Sequence, residues 1–463
     1  MRRAIVLGAA ALAFILKLLI DLKTYGTNDA YAYELFAAWS QAFGVSVYRY
    51  WAWNNPPFTL HMVRALAWAS QATNLPFSFW LRFMGIAADA GSVWLVWRML
   101  RERLGERTIW LALVFFALSP TTIMISGFHG NTDAVMVLFI LLAIFSAQEL
   151  RAPWAAGAAF GMAMGFKVVP LILIPVFLLW FESMRKRAEF VFACAAVVLL
   201  AWSPYIFQEP ATIVRGVFGY KSFGGIWGLS FLLDGTSRAI PEYRPLAAAY
   251  RQYGVWALFA LIGALSLFLR RSTLQKTLQK NLFAQAGLVL LVFMSLTNGF
   301  GVQYLAWLCP FVVALGAEAA GVYFLTSGVF LFVVYNFWSE GLPWYLADSN
   351  RVGAWHGSAE ILQVLCWLSV CAAAWLAWKR ANAPVPAPDR IVRAGILALP
   401  ALSVLIALSS IGRETLFRHS WLGSDEAAIT ALRARNLLDL AAAERTATAM
   451  KQATHAAPGD PSN

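Results

Sequence analysis

Apolar stretches of membrane-spanning length recur along the whole chain, separated by short polar and often basic clusters. Spans are predicted at 4–20, 79–98, 109–126, 132–147, 153–166, 168–182, 189–207, 254–269, 282–297, 303–317, 320–337, 359–378 and 391–411. The clusters Arg2-Arg3, Arg98 to Arg107, Arg151, Arg185-Lys186-Arg187, Arg270 to Lys280 and Lys379-Arg380 are separated by even numbers of spans. All of them therefore fall on one side, which the bias of Lys and Arg toward cytoplasmic loops assigns to the cytoplasm. The pattern reads as an all-α polytopic membrane protein with about 13 transmembrane helices. The pair 153–166 and 168–182 is short and carries Pro170 and Pro175, which suits a hairpin or re-entrant arrangement.

Four regions then face outward: Asp21–Ser78, Ser126–Thr132, Gln208–Tyr253 and Asn336–Ser358. The first is long, and the mixed stretch Phe58 to Trp68 predicts a helix lying in the membrane interface. The membrane domain is expected to occupy 1–412. A C-terminal extension, 413–463, would hold one amphipathic helix and then a polar tail.

Composition agrees with this layout. Of the 463 residues 60% are hydrophobic and only 13% charged, far from the balance of a soluble domain. The net charge of +12 sits in clusters between spans, so it reports topology and implies no nucleic-acid partner. Cys194, Cys309, Cys366 and Cys371 all lie in apolar segments without metal-type spacing and read as small hydrophobes. Arg2-Arg3 followed by apolar residues to Ile20 has no small-residue cleavage site before Asp21, which predicts an uncleaved first span.

Carboxylates are scarce, so those in outer regions stand out. Asp29 and Glu34 lie in a stretch read as a loop, near Tyr31, Tyr33, Tyr48, Tyr50, Trp51 and Trp53. Aromatic rings at this depth are ordinary interface residues, but they are also platforms for sugar rings. An Asp among them can take a proton from an attacking hydroxyl. In Phe128-His129-Gly130-Asn131-Thr132-Asp133, Asp133 opens a helix, where exposed N–H groups favour a carboxylate. That accounts for Asp133 alone and leaves His129 and Asn131 unexplained. Lys167 falls between two apolar half-helices, where a cation must snorkel, pair, or meet an anion such as a phosphate. Arg215 and Lys221 run against the charge bias of outer loops and are candidates for the same anion. Gln303-Tyr304 marks another polar turn at an outer boundary, and Asp89 is expected to pair with Arg82 on the same helix. No nucleotide-binding fingerprint is credibly placed, so no nucleotide cofactor is expected. The scattered Asp and His fix no set of ligands, which leaves a divalent metal open.

The ordered set resembles the GT-C superfamily of integral membrane glycosyltransferases, particularly bacterial relatives of the GPI mannosyltransferases. It comprises Asp29 in a long first outer loop, Asn54-Asn55-Pro56-Pro57, Gly130-Asn131-Thr132-Asp133, Lys167 with Pro170 and Pro175, and Gln303-Tyr304. Relatives typically carry Gly-Gln-x-Asp where this chain has Gly130-Asn131-Thr132-Asp133, so His129 and Asn131 depart from the pattern as Trp-to-His and Gln-to-Asn changes. The resemblance implies a GT-C-like architecture and inverting transfer of a monosaccharide, a mannose-like hexose or a pentose, from a polyprenyl-phosphate donor. The acceptor would be lipid-linked, a glycan or a protein, at the periplasmic face of a bacterial inner membrane. Asp29 would be the general base, with Lys167, Arg215 and Lys221 on the donor phosphate. Glu34, Tyr50, Asn55, His129, Asn131, Asp133, Gln303 and Tyr304 would shape the donor and acceptor sites. A secondary transporter or lipid flippase, and a surface-polysaccharide polymerase or ligase, are the alternatives. Transporters commonly place ionisable groups at mid-membrane, whereas here the polar residues sit at outer ends.

Overall fold

The computed structural model describes residues 2–43, 48, 53–103, 106–220, 222–275, 280–342, 344–380 and 399–408. Tyr50, Lys221 and the extension 413–463 lie outside the described residues. Helices dominate, as the sequence predicts. Among the described residues seven helices are long and apolar enough to cross a membrane: Ala4–Lys23, Phe77–Leu100, Thr108–His129, Met184–Ile206, Pro241–Leu274, Ala317–Trp338 and Ser358–Lys379. Shorter apolar helices at Asp133–Gln148, Val169–Trp180, Leu282–Leu296, Val302–Val313 and Leu399–Leu408 fall where further spans are expected. Exposed apolar side chains such as Leu7, Trp94, Phe192, Leu200, Trp256 and Ile361 clothe the outside of the bundle. That is the surface of a multi-pass membrane protein, because lipid replaces water as the neighbour of these side chains.

Helix α1 (Arg2–Lys23) leads into a two-residue strand, β1 (Gly26–Thr27), and then into α2 (Asn28–Phe43). Asp29 and Glu34 therefore lie on a helix, not in a loop. Ala30, Tyr33, Phe36, Ala37 and Ser40 recur at helical spacing and are all buried, so packing supplies the stability that the polar composition obscured. The expected interface helix is present as α3 (Pro57–Thr73), opened by Pro57 at its first position. It is followed by α4 (Phe77–Leu100). The chain then reaches a π-helical turn, Ile125–His129, before α5 (Asp133–Gln148) and α6 (Pro153–Phe166). Helix α6 breaks at Lys167, whose backbone is extended, and a 3-10 turn, Val169–Leu173, carries Pro170. The broken pair expected at 153–182 is thus seen in the backbone, with Lys167 at the break.

Two short ladders tie distant segments together. Strand β2 (Phe223–Gly224) pairs antiparallel with β3 (Gly299–Phe300). Strand β4 (Leu346–Ala347), reached from helix α7 (Ala317–Trp338), pairs parallel with β1. Tyr25 N and Gly26 N both donate to Tyr345 O, at 2.8 and 3.1 Å. Ser349 donates through N and Oγ to Asn28 Oδ1, at 3.4 and 3.2 Å. Gly26 adopts φ +105°, and a Cβ there would stand 2.8 Å from Phe128 O, so only glycine lets β1 lie this close to the π-turn.

Arg82 does not pair with Asp89. Seven residues along one helix separate them by about 10 Å of rise, two turns apart. Arg82, fully buried, instead holds Asp21 Oδ1 at 2.7 Å and donates to Asp21 O, Thr24 O, Thr24 Oγ1 and Ser78 O. Asp89 pairs with Lys17 of α1 at 2.6 Å and accepts from Ser126 Oγ at 2.5 Å. Both ion pairs therefore run between helices, fixing α1 and the π-turn against α4.

Candidate active site

The segments gathered by these ties bring one carboxylate, one imidazole and one ammonium to the same end of the helices. Asp29 sits in the first turn of α2, where the helix dipole favours an anion. Helix capping does not account for its side chain, however. Asp29 Oδ2 accepts from Asn131 Nδ2 at 2.7 Å and faces His129 Nε2 at 3.0 Å, a hundred residues away in the chain. Among the described residues no hydrogen bond falls on Oδ1, and the side chain remains 35% exposed, so one oxygen is anchored and the other is accessible. Burial pushes the Asp29 carboxyl up. The His129 hydrogen bond and charge, the Lys167 ammonium and the Asn131 amide together outweigh that and hold it below the usual carboxylate range.

The local backbone explains how His129 and Asn131 reach Asp29. A π-turn widens the helix by one residue, a device common at functional sites, and here it ends on His129. Gly130 follows with φ +79°, and a Cβ there would meet Ala30 Cβ at 3.0 Å and Arg82 Cγ at 3.3 Å. The carbonyl of His129 accepts from Thr27 Oγ1 at 2.6 Å, and the same hydroxyl accepts from Asp29 N at 3.3 Å. Behind Asn131, Tyr33 Oη lies within 3.2–3.3 Å of Asn55 Oδ1, Asn131 Oδ1 and Thr132 Oγ1. Its single proton serves one of these at a time.

A second group adjoins the first. Asp133, wholly buried at the start of α5, accepts from Trp307 Nε1 through Oδ1 at 2.5 Å. Its Oδ2 stands 3.1 Å from Lys167 Nζ. Lys167 also lies over the Tyr304 ring, 5.7 Å from its centroid, and Tyr304 stacks on Trp307 at 4.1 Å. The Lys167 side chain is thus paired through its ammonium and 15% exposed. Asp29 and Asp133 both feel its charge, so one ammonium serves both carboxylates.

The structure thus brings together Asp29, Asn55, His129, Asn131, Asp133, Lys167 and Tyr304. Glu34 is turned elsewhere and accepts from Tyr25 Oη at 2.7 Å. Gln303 is half-buried beside Gly301, and Arg215 is exposed on the short helical turn Val214–Phe218. Neither makes a hydrogen bond or ion pair to Asp29 or Lys167 among the described residues. Trp53 is no open platform: it stacks on Phe36 at 3.8 Å and is buried. Thr27, Trp307 and Tyr335 enter the site without a motif signal in the sequence, and Tyr33, which the sequence offers only as an aromatic ring near Asp29, enters it through its hydroxyl. Trp307 stands three residues after Tyr304 in a 3-10 turn, Val302–Leu308, where such residues eclipse, and that spacing could have flagged it. Among the described residues no three His, Cys, Asp or Glu side chains converge, so the donor set forms no ready-made cation cage.

Comparison with known proteins adds a family context. Residues 53–215 match the model of glycosyltransferase family 87. The chain is 22% identical over 328 residues to GPI mannosyltransferase 1 of Trypanosoma brucei brucei, covering 62% of this chain and 70% of that protein. It is 24% identical over 119 residues to GPI mannosyltransferase 1 of Schizosaccharomyces pombe, covering 26% and 32% respectively. Among solved structures, ArnT from Cupriavidus metallidurans bound to undecaprenyl phosphate aligns over 90% of this chain and 78% of its own. The TM-score is 0.46 and the identity 13%.

Proposed function

We propose that this chain, an integral membrane glycosyltransferase of the GT-C superfamily, transfers a monosaccharide from a polyprenyl-phosphate donor to a hydroxyl acceptor. The sugar would be a mannose-like hexose or a pentose, and the acceptor lipid-linked, a glycan or a protein. The face is the periplasmic side of a bacterial inner membrane, where the basic clusters of the sequence leave Asp29. One observation carries this reading. Asp29 is an ionised carboxylate with one oxygen fixed and the other accessible, and a lysine ammonium lies within its electrostatic reach.

Transfer with inversion needs those two charges. The acceptor hydroxyl donates to Asp29 Oδ1 and attacks the anomeric carbon from the side opposite the phosphate. As the new C–O bond forms, its proton passes to Asp29. The bond between the anomeric carbon and the phosphate oxygen breaks, and its electron pair leaves on polyprenyl phosphate. A fixed cation at that oxygen stabilises charge that develops mainly in the transition state, which raises turnover as well as affinity. Lys167 would serve here: Asp133 and Tyr304 hold its ammonium in place, and its side chain is not wholly buried. Arg215, and Lys221 outside the described residues, would extend the phosphate contact from the Gln208–Tyr253 region. His129, Asn131 and Asn55 order the base. Glu34 and Gln303 would make donor or acceptor contacts at the periphery, and Tyr50, outside the described residues, is a further proposed contact.

The test is transfer by the purified protein in lipid nanodiscs, given radiolabelled polyprenyl-phosphate mannose and, separately, a nucleotide sugar. Label should leave the polyprenyl donor and not the nucleotide donor. Asp29→Asn should lower turnover by about 10²–10⁴-fold, the usual contribution of a general base, while donor binding persists. Transfer from the nucleotide sugar alone would overturn the donor assignment.

A further inference from the structure

We infer that Tyr335 is a positioning residue for Asp29, acting through His129. It stands near the end of α7, two hundred residues from His129 and well beyond the stretch that matches the family model. Its hydroxyl is fully buried and lies 2.8 Å from His129 Nδ1. The other ring nitrogen, Nε2, faces Asp29 Oδ2 at 3.0 Å. The chain Tyr335–His129–Asp29 is thus continuous, and it ends on the carboxylate that the proposed reaction uses as a base. The inference rests on that reading of Asp29.

Donor and acceptor chemistry fixes the direction of the chain. An ionised carboxylate only accepts, so His129 must present Nε2–H to Asp29. In the neutral ring Nδ1 then carries a lone pair, and the Tyr335 hydroxyl donates to it. Should the ring take a second proton, the same hydroxyl oxygen can accept from Nδ1–H. Tyr335 therefore partners His129 in both states and keeps the ring plane aimed at Oδ2 throughout. Without it, neutral His129 could hold its proton on Nδ1, placing the Nε2 lone pair against a carboxylate. Second partners of this kind commonly fix which imidazole nitrogen carries the proton.

The same stretch of chain restrains Asp29 by a second route. Helix α7 runs on to β4, which pairs with β1 immediately before Asp29, and Ser349 bonds Asn28. Backbone and side chain of the candidate base are thus both set from residues 335–349. Packing of Tyr335 against Phe128 and Trp344, with ring centroids at 5.4 and 5.6 Å, holds its hydroxyl on the imidazole and not on solvent.

The groups that interact electrostatically with Asp29 besides His129 and Asn131 are Lys167, Tyr33, Tyr304 and Tyr335, with Asp133 reached through Lys167. Of these, Tyr335 is the one hydrogen-bonded to His129. That makes the inference separable from general electrostatics. Tyr335→Phe in the full chain should lower kcat about tenfold, the scale of one aligned hydrogen bond, with donor KM unchanged. The acid limb of its pH profile should move upward, because a loosened His129 supports the Asp29 carboxylate less. Combining Tyr335→Phe with His129→Gln should cost no more than His129→Gln alone, since both break one chain. Additive losses would overturn the inference.

A readout independent of activity keeps it decidable if the donor is wrong. With ¹⁵N-labelled histidine, the His129 signal is the one of five that His129→Gln removes. In the wild type it should report a ring fixed with Nε2 protonated. In Tyr335→Phe it should show exchange between tautomers. An unchanged His129 spectrum in Tyr335→Phe would overturn the inference whatever the assays show. Absence of transfer by wild type with an altered spectrum would instead count against the proposed reaction alone.

Discussion

Lys167 Nζ lies 3.1 Å from Asp133 Oδ2, and neither side chain is more than 15% exposed. The pair joins the break after α6 to the start of α5, so Lys167 holds the fold together as well as presenting a charge. Single and double substitutions should therefore behave differently. Lys167→Met leaves a buried carboxylate without its cation, and breaking such a pair costs about 3–5 kcal/mol. Adding Asp133→Asn removes the stranded charge and should recover most of the melting temperature. Turnover should stay low in both, because neither restores a cation at the leaving phosphate. Thermal unfolding in detergent, beside the transfer assay, checks this. Normal turnover in the double variant would move the phosphate away from Lys167.

Asp29 sets a pH signature. An ordinary aspartate titrates near pH 3.9, and burial raises that value, but His129, Lys167 and Asn131 together bring it below the usual range. A base must be deprotonated to work, so a lowered value extends activity to lower pH. The acid limb of kcat/KM should therefore lie below that of a free carboxylate. Asn131→Leu removes the 2.7 Å amide donor and should shift the limb upward without abolishing transfer. A limb unmoved in Asn131→Leu would mean that another group titrates there.

The helical layout was legible because lipid imposes a simple rule on sequence: each span needs an apolar run, and every break needs a reason. All thirteen expected spans overlap helix, and the interruption at Lys167 follows from one charge and one proline close behind it. Asp29, His129, Asn131, Asp133 and Lys167 were legible as ionisable or amide residues against an apolar background. Their joining into one network was not, since Asp29 and His129 are a hundred residues apart. Helix α2 reads as a loop in the sequence because Tyr, Glu and Asn mask its buried face. Tyr335 was invisible for the opposite reason: in an apolar helix a tyrosine looks like a phenylalanine until a partner for its hydroxyl is seen.

Sidedness can be read with cysteine labelling in whole cells. The four native cysteines form a quiet background, three buried and the fourth half-buried. Tyr220 is exposed in the Gln208–Tyr253 region, and the Arg185 side chain is 90% exposed in a basic cluster. An impermeant maleimide should label Tyr220→Cys from outside and reach Arg185→Cys only after lysis. Labelling of position 185 in intact cells would reverse the topology and with it the periplasmic site.

Arg82 offers a test of how far from Asp29 the site is built. Its guanidinium is buried, pairs with Asp21 at 2.7 Å, and donates to four backbone carbonyls, those of Asp21, Thr24, Ser78 and Gly127. Two of these close α1, five to eight residues before Asp29, while its stem packs under Gly130. A planar fork with several donors fits this set, and a lysine ammonium does not. Arg82→Lys should therefore lose stability despite keeping the charge, and Arg82→Met should lose more, about 3–5 kcal/mol, because Asp21 is left unpaired. Pairing Arg82→Met with Asp21→Leu removes the stranded carboxylate and should restore part of the melting temperature. The carbonyls of Thr24 and Asp21 remain without a donor, so the turn into β1 stays loose and Asp29 is no longer held against His129. Turnover in that double variant should remain at least about tenfold down, the cost of one lost aligning contact. Full activity in a stably folded Arg82→Met/Asp21→Leu protein would show that β4 alone positions Asp29, and that Arg82 serves only to bury its own charge.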